Sequence, residues 1–364
     1  MEDAPVFRNK FVLLGLGATA LKAATTVNRM LRRIEFEDKV VVITGGSRGL
    51  GLVLARKLAN ENARLVLLAR NMEELDTAQK ELREKDADVR IVVCDVTVQK
   101  EVEAAFAKII EEMGSVDILI NNAGIIQVGP LDSMTTNDYK NALDNHFWAP
   151  LYAALAVVPH MRAKKFGRIV NIASIGGKIS VPHLLPYNAS KFALAGLSEG
   201  LRYELMPDNV FVTTVCPGLM RTGSHVNAKF KGQHKLEYAL FSTMNSLPFF
   251  SANADRAAAE IIDACRHGDA ELIITLPAQL AAKFRALFPE TTAEALGTIS
   301  RFLPKKGEDG DETKTGKQSQ SELSPNALTY LSDKAVLKNN EDLVAARENG
   351  NGGGNGSGGE GEHN

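Results

Sequence analysis

Thr44-Gly45-Gly46-Ser47-Arg48-Gly49-Leu50-Gly51 follows the β-branched run Val40-Val41-Val42-Ile43. It opens a segment, Gly49–Asn60, in which Leu50, Val53, Leu54 and Leu58 recur at helical spacing. The run before it reads as a buried strand. Three glycines at i, i+4 and i+6 between a strand and a helix let the backbone turn tightly and approach a pyrophosphate. The phosphates then rest on the helix N-terminus, where unpaired N–H groups and the helix dipole favour an anion. Gly45, Ser47, Arg48, Gly49, Leu50 and Gly51 are therefore candidate dinucleotide ligands. Gly45-Gly46-Ser47-Arg48-Gly49 also fits G-x-S-x-G, the nucleophile elbow of hydrolases. That reading leaves Gly51 unexplained, falls on the first strand of the set and has nothing upstream to supply an oxyanion loop, so it is rejected.

The alternation continues outward. Strands are expected at Arg64–Ala69, Val89–Cys94, Asp117–Asn121, Arg168–Ala173, Phe211–Cys216 and Glu271–Thr275, and helices at Met72–Lys85, Gln99–Met113, Thr136–Ala163, Tyr187–Leu205 and Asp255–Arg266. With Lys39–Thr44 this makes seven apolar strands, hence an α/β, doubly wound Rossmann fold: a seven-stranded parallel sheet with helices on both faces. Ligands of such sheets bind beyond the carboxyl ends of the strands, where strand order reverses. The chemistry is expected just after each strand.

The end of the second strand discriminates between cofactors. An NAD site usually places an acid there for the ribose 2′-hydroxyl. Here the strand ends Leu68-Ala69-Arg70-Asn71, with Arg48 in the loop close by. Guanidinium groups suit a 2′-phosphate through bidentate hydrogen bonds, and the pair favours NADP(H), with no acid expected to oppose it.

Lys plus Arg number 42 and Asp plus Glu 44 in 364 residues, a formal charge of −2. That gives no basic footprint for nucleic acid. The three cysteines are few, odd in number and far apart, which excludes a disulfide scaffold or zinc ribbon. No metal site is expected. Three segments follow: residues 1–35 a basic apolar N-terminal helix, 36–304 one Rossmann-type domain, and 305–364 an acidic, Gly-rich tail. From Arg8 to Arg33 there are six basic residues and no acid, around an eleven-residue uncharged run, Phe11–Leu21. That run is too short to span a bilayer. A signal peptide is rejected because the expected cofactor is intracellular. Residues 8–33 can then lie on an anionic membrane surface or pack on the protein itself. The tail carries seven basic and eleven acidic side chains, with eight of the chain's 30 glycines in its last fifteen residues. It is expected to be disordered, with a short helix around Asn326–Arg347 as the alternative.

Tyr187 and Lys191 stand four apart at a helix start and so share a face, thirteen residues after Ser174. Together with the glycine loop this resembles the short-chain dehydrogenase/reductase family, from about Phe36 to Thr275. Thr44–Gly51 matches T-G-x-x-x-G-x-G, and Asn121-Asn122-Ala123-Gly124 matches N-N-A-G. Asn145, Ser174, Tyr187 and Lys191 match the catalytic tetrad. Pro217-Gly218 with Thr222 matches the segment that holds the nicotinamide carboxamide, and Asp95 the acid near the adenine.

The resemblance implies NADPH-dependent reduction of a carbonyl, or the reverse oxidation. Tyr187 would be the proton donor and Lys191 would lower its pKa and bind the nicotinamide ribose. Ser174 would hold the substrate oxygen, and Asn145 a relay water. Asn122, Ala123, Gly124, Pro217, Gly218 and Thr222 would line the cofactor. The resemblance also implies a substrate lid at about 222–255, where Phe230, Tyr238, Leu240, Phe241, Met244, Leu247, Phe249 and Phe250, with Trp148, Leu184 and Leu185, would either wall a lipophilic substrate or pack the lid onto the core. The family also implies a homodimer or homotetramer, paired through the helices Thr136–Ala163 and Tyr187–Leu205, with Ala153, Ala154, Ala193 and Ala195 permitting close approach. A cytoplasmic enzyme is expected. A non-catalytic NADP-sensing or scaffold protein is the alternative, disfavoured by the intact tetrad.

Overall fold

Every residue of β1 (Val40–Thr44) is buried. A strand can be apolar on both faces only if both faces are covered. The structure, a computed structural model, describes residues 23–248, 251–308, 310–322, 324 and 326–342. After β1 come α1 (Gly49–Ala59), β2 (Arg64–Ala69), α2 (Met72–Arg83), β3 (Val89–Val93), α3 (Gln99–Met113) and β4 (Ile118–Asn121). Then follow α4 (Thr136–Leu143), α5 (Ala149–Lys164), β5 (Gly167–Ile172), α6 (Leu185–Leu205), β6 (Val210–Pro217), α7 (His234–Ser246), α8 (Ala254–His267) and β7 (Glu271–Ile274). The seven strands form one sheet in the order β7-β6-β5-β4-β1-β2-β3, all parallel. The order in which the chain adds strands reverses between β1 and β4, so the ligand crevice is expected beyond that pair. One apolar layer packs Leu54 and Leu58 of α1 and Ile261 of α8 against Ile43 and Ile120. The other packs Phe106 of α3 and Val157 of α5 against Val42 and Leu119. Burial of these side chains stabilises the fold by ~1.5–3 kcal/mol for each large one.

The helix expected over Thr136–Ala163 is interrupted by a π turn at Asp144–Trp148. Pro150, which has no N–H for the carbonyl four residues back, stands just after the break. The Ala149 amide instead reaches back five residues to Asp144. Three of the four alanines expected on an outer face, Ala153, Ala154 and Ala195, are buried inside the domain. The exposed residues of α6 are instead Leu185, Ala189, Phe192, Gly196, Glu199, Gly200, Tyr203 and Glu204.

Beyond β7 the chain forms α9 (Leu276–Leu287), α10 (Pro289–Ser300) and α11 (Asn326–Lys338). Among the described residues this corrects the expectation of disorder from residue 305 to 342 and agrees with the alternative of a short helix there. Ala335 and Val336 of α11 are buried, Ser332 hydrogen-bonds Ser246 of α7 at 2.8 Å, and Lys338 pairs with Asp255 at 2.6 Å. The tail's composition averaged this helix with the glycine-rich end, residues 343–364, which lies outside the described residues. At the other terminus, residues 23–31 are helical. Arg29 pairs with Asp263 and Asp269, and the Arg32 guanidinium stacks 4.8 Å from the Phe211 ring centre. These cations hold the helix to the domain. The expectation for residues 8–22 lies outside the described residues. Among the described residues no helix is long and apolar enough to cross a membrane.

Candidate active site

The register of the sheet builds the site. Thr44 of β1 lies beside Asn121 of β4, and Asn121 beside Asn171 of β5. The Thr44 hydroxyl accepts hydrogen bonds from the amides of Asn122 at 3.0 Å and Ala123 at 3.1 Å. The Asn122 carboxamide donates back to the carbonyls of Thr44 and Gly45, both at 3.1 Å. Residues after β4 are thereby stapled to the glycine loop. Gly45 has φ 63, and a Cβ there would lie 2.9 Å from Ala123 Cα. A Cβ at Gly51 would lie 2.1 Å from the Gly45 carbonyl oxygen. Only glycine permits that closeness. No side chain caps the start of α1 and its first turn has no acid, which is the chemistry an anion seat requires. The loop therefore fits a dinucleotide phosphate.

The surroundings of the two arginines differ from expectation. Arg48 lies 3.7 Å from Glu74 and 3.7 Å from Glu341, and Ser47 donates to Glu74 at 2.9 Å. Arg70 is largely exposed and lies 3.9 Å from Asp95. Acids do oppose both cations: Glu74 of α2 and Glu341 of the C-terminal segment face Arg48, and Asp95 beyond β3 faces Arg70. Asp95 accepts from the amide and hydroxyl of Thr97, which fixes the turn before α3.

Ser174, Tyr187 and Lys191 meet at the carboxyl end of β5. Ser174 extends β5 and accepts from the Gly176 amide at 3.0 Å. A Cβ placed on Gly176 would lie 3.2 Å from Tyr187 Cε1 and 3.4 Å from Ser174 Oγ, so the phenol and hydroxyl converge over that glycine. Lys191 is buried and donates to the Ile172 carbonyl at 2.8 Å, with Nζ 5.6 Å from the Tyr187 ring centre. Burial pulls its ammonium down to about 7. Burial also raises the Tyr187 phenol above its ordinary value, with the Ser174 hydroxyl pulling the other way. Desolvation outweighs the Ser174 hydroxyl; the expected lowering by Lys191 is not among the causes of the shift, and the phenol stays a proton donor at neutral pH. Asn145 sits in the π turn and donates to the Asn141 carbonyl at 2.8 Å. Such turns recur at functional sites.

His146 was not singled out by the sequence reasoning. Its Nε2 accepts from the Ile125 amide at 3.1 Å, so Nδ1 carries the proton toward Ser190 Oγ at 2.7 Å. Ser190 in turn donates to the Tyr187 carbonyl at 2.8 Å. Burial holds the ring well below its ordinary pKa, and its edge meets the Tyr187 ring at 5.3 Å. Its position next to Asn145 was the available signal.

Gly218 donates to the Ile274 carbonyl at 3.2 Å, and Thr222 is buried with its hydroxyl on Ser224 at 2.9 Å. In the lid, Phe230 and Tyr238 are buried with Val128 and Ala228, and Leu184 and Phe241 pack against them. They build a small core. Leu240, Met244, Leu247, Trp148 and Leu185 remain exposed, and residues 249 and 250 lie outside the described residues. Cys94, Cys216 and Cys265 are free and buried. Among the described residues no cluster of His, Cys, Asp and Glu could hold a metal ion.

Comparison with known proteins places this geometry. A family profile described as short chain dehydrogenase matches residues 39–231. The Bacillus subtilis oxidoreductase YxnA is 32% identical over 278 residues, covering 75% of this chain and 75% of that protein. Gluconate 5-dehydrogenase of Gluconobacter oxydans is 36% identical over 181 residues, covering 50% of this chain and 71% of its own. Among solved structures, a metagenomic short-chain oxidoreductase in complex with NADP is 28% identical with a TM-score of 0.54, covering 66% of this chain and 99% of that one. An NAD+-bound xylitol dehydrogenase is 27% identical with a TM-score of 0.58, with coverages of 66% and 99%.

Proposed function

Because the chain belongs to the short-chain dehydrogenase family and so is an NAD(P)-dependent oxidoreductase, we propose that it reduces a carbonyl of a small lipophilic molecule with NADPH. The observation that carries this reading is the convergence of Ser174, Tyr187 and Lys191 beyond β5, with Tyr187 held in its protonated form. The dinucleotide, when bound, supplies the hydride that goes to the carbonyl carbon. Tyr187 releases its phenol proton to the carbonyl oxygen as that oxygen gains charge, and Ser174 donates a hydrogen bond to the same oxygen. Lys191, titrating near neutrality, returns a proton to Tyr187, and Asn145 links Lys191 to solvent. His146 holds Tyr187 from behind through Ser190. In the reverse reaction each proton runs the other way.

Gly45, Ser47, Arg48, Gly49, Leu50 and Gly51 would hold the phosphates, with Asp95 by the adenine. Asn122, Ala123, Gly124, Pro217, Gly218 and Thr222 would face the nicotinamide half. Arg48 and Arg70 favour NADP(H), since both are cations at the expected 2′-phosphate position. The exposed Leu240, Met244 and Leu247 of the lid supply apolar surface for a lipophilic substrate. The exposed face of α6, with Phe192, Gly196, Gly200 and Tyr203, suits pairing in a homodimer or homotetramer. A cytoplasmic placement with peripheral membrane contact through residues 8–33 is part of this reading; Val27, Met30 and Leu31 leave apolar surface exposed there, while Arg29 and Arg32 are engaged with the domain. A panel of aldehydes and ketones screened for NADPH consumption tests the reaction. Tyr187→Phe should lose ~10²–10⁴-fold in rate on the best substrate, and full activity in that variant would refute the mechanism.

A further inference from the structure

The segment after α11 lies across the glycine loop. The Gly49 amide donates to the Asn339 carbonyl at 2.8 Å. Glu341 reaches into the space at the left-handed Gly49, where an added Cβ would lie 2.5 Å from its Oε1. The same carboxylate is buried, lies 3.7 Å from Arg48, and accepts from Asn227 Nδ2 at 2.7 Å. Asn339 ties α1 to the chain beyond β6. Its Oδ1 accepts from Arg56 at 2.9 Å, and its Nδ2 donates to the Thr222 carbonyl at 3.1 Å. Arg56 also donates to the Lys338 carbonyl at 2.7 Å, and Asn340 lies 3.5 Å from the Ser47 carbonyl. Upstream, Val336 seats the helix against Gly223, where a Cβ would lie 2.7 Å from Val336 Cα.

A backbone N–H makes one good hydrogen bond, and the Glu341 side chain fills the space beside Gly49; where it is ionised, it also repels a phosphate brought there. The segment therefore uses the donor and the cation that a dinucleotide phosphate needs at this helix start. We propose that residues 335–341 are an intramolecular occupant of the dinucleotide seat, so that this strap and the cofactor exclude each other. The proposal rests on the cofactor reading above. It implies that the strap swings off the loop when the enzyme loads, and that the observed affinity is the intrinsic one reduced by the fraction of molecules with the strap open.

The test uses the full chain as wild type, Glu341→Ala and Val336→Asp, titrated with NADPH and NADH by fluorescence. Glu341→Ala removes the carboxylate from the seat and Val336→Asp undocks the helix behind it. Both should bind dinucleotide more tightly, by ~10- to 100-fold if the strap is open in ~1–10% of wild-type molecules. Hydrogen exchange on the wild type supplies the second measurement. Saturating NADPH should protect the amides of 45–51 and expose those of 335–341. Equal dissociation constants in all three proteins, or a segment 335–341 still protected at saturation, would overturn the strap and leave the cofactor reading intact. No binding of either dinucleotide to any of the three would overturn both.

Discussion

Replacing Lys191 by Met should make the protein more stable and inactive at once. Lys191 is buried, and its ammonium falls from 10.5 in water to about 7 in the fold. A cation whose folded pKa is depressed costs stability wherever the unfolded chain would be protonated. The cost is fully present below about pH 7 and is relieved as the pH climbs toward the unfolded value. At pH 6 the shift corresponds to roughly 5 kcal/mol, and at pH 9 to about 2 kcal/mol. Met fills a similar volume without charge but leaves the Ile172 carbonyl, now bonded at 2.8 Å, without its donor, a loss of ~1 kcal/mol. Lys191→Met should therefore gain about 4 kcal/mol at pH 6 and about 1 kcal/mol at pH 9. Urea denaturation of both proteins at pH 6, 7, 8 and 9, followed by circular dichroism, reads this directly. A difference that does not change across that range would refute the burial argument. A gain that grows with pH would reverse its sign.

Gly51→Ala places a Cβ 2.1 Å from the Gly45 carbonyl oxygen. It should abolish dinucleotide binding and lower stability by ~1–3 kcal/mol through overpacking, read by calorimetric titration and melting. Thr44→Val keeps the shape but leaves the amides of Asn122 and Ala123 without the oxygen they now bond. It should cost roughly 2–4 kcal/mol in urea unfolding, and a loss under 0.5 kcal/mol would show that the staple is unimportant. Arg70→Ala should weaken NADPH binding while leaving NADH unchanged, and equal wild-type affinities for the two would sink the NADP(H) preference.

The sheet was legible because its strands carry their own signal. β2 and α3 were expected at the residues where they form, and the ends of the other core elements shift by at most a few residues. Buried parallel strands must be apolar throughout, and that requirement is local. The glycine loop and the spacing of Ser174, Tyr187 and Lys191 were legible for the same reason, since each depends on a short stretch of chain. What escaped was set by distance in sequence. Glu74 and Glu341 approach Arg48 from other elements, so a reading confined to the loop and the β2 end met no acid. His146 owes its role to Ile125 and Ser190, neither of them its neighbour in the chain. Ala153 and Ala154 looked available for helix pairing, yet small residues fit equally well against the sheet, and that is where they lie; Ala195 too is buried within the domain. The tail was misjudged because composition averages over a helix and its glycine-rich end.

The strap also sets an order of events at the ribosome. The glycine loop and the turn after β4 are complete once residue 124 has been made, whereas the Gly49 amide waits for Asn339. At ~5–20 residues per second, the interval between the two is about 10–40 s. During it the nascent chain presents its phosphate-binding turn with no strap yet made to compete for it. A dinucleotide captured then would be in place before its competitor emerges, and the first loading of each molecule would differ kinetically from every later one.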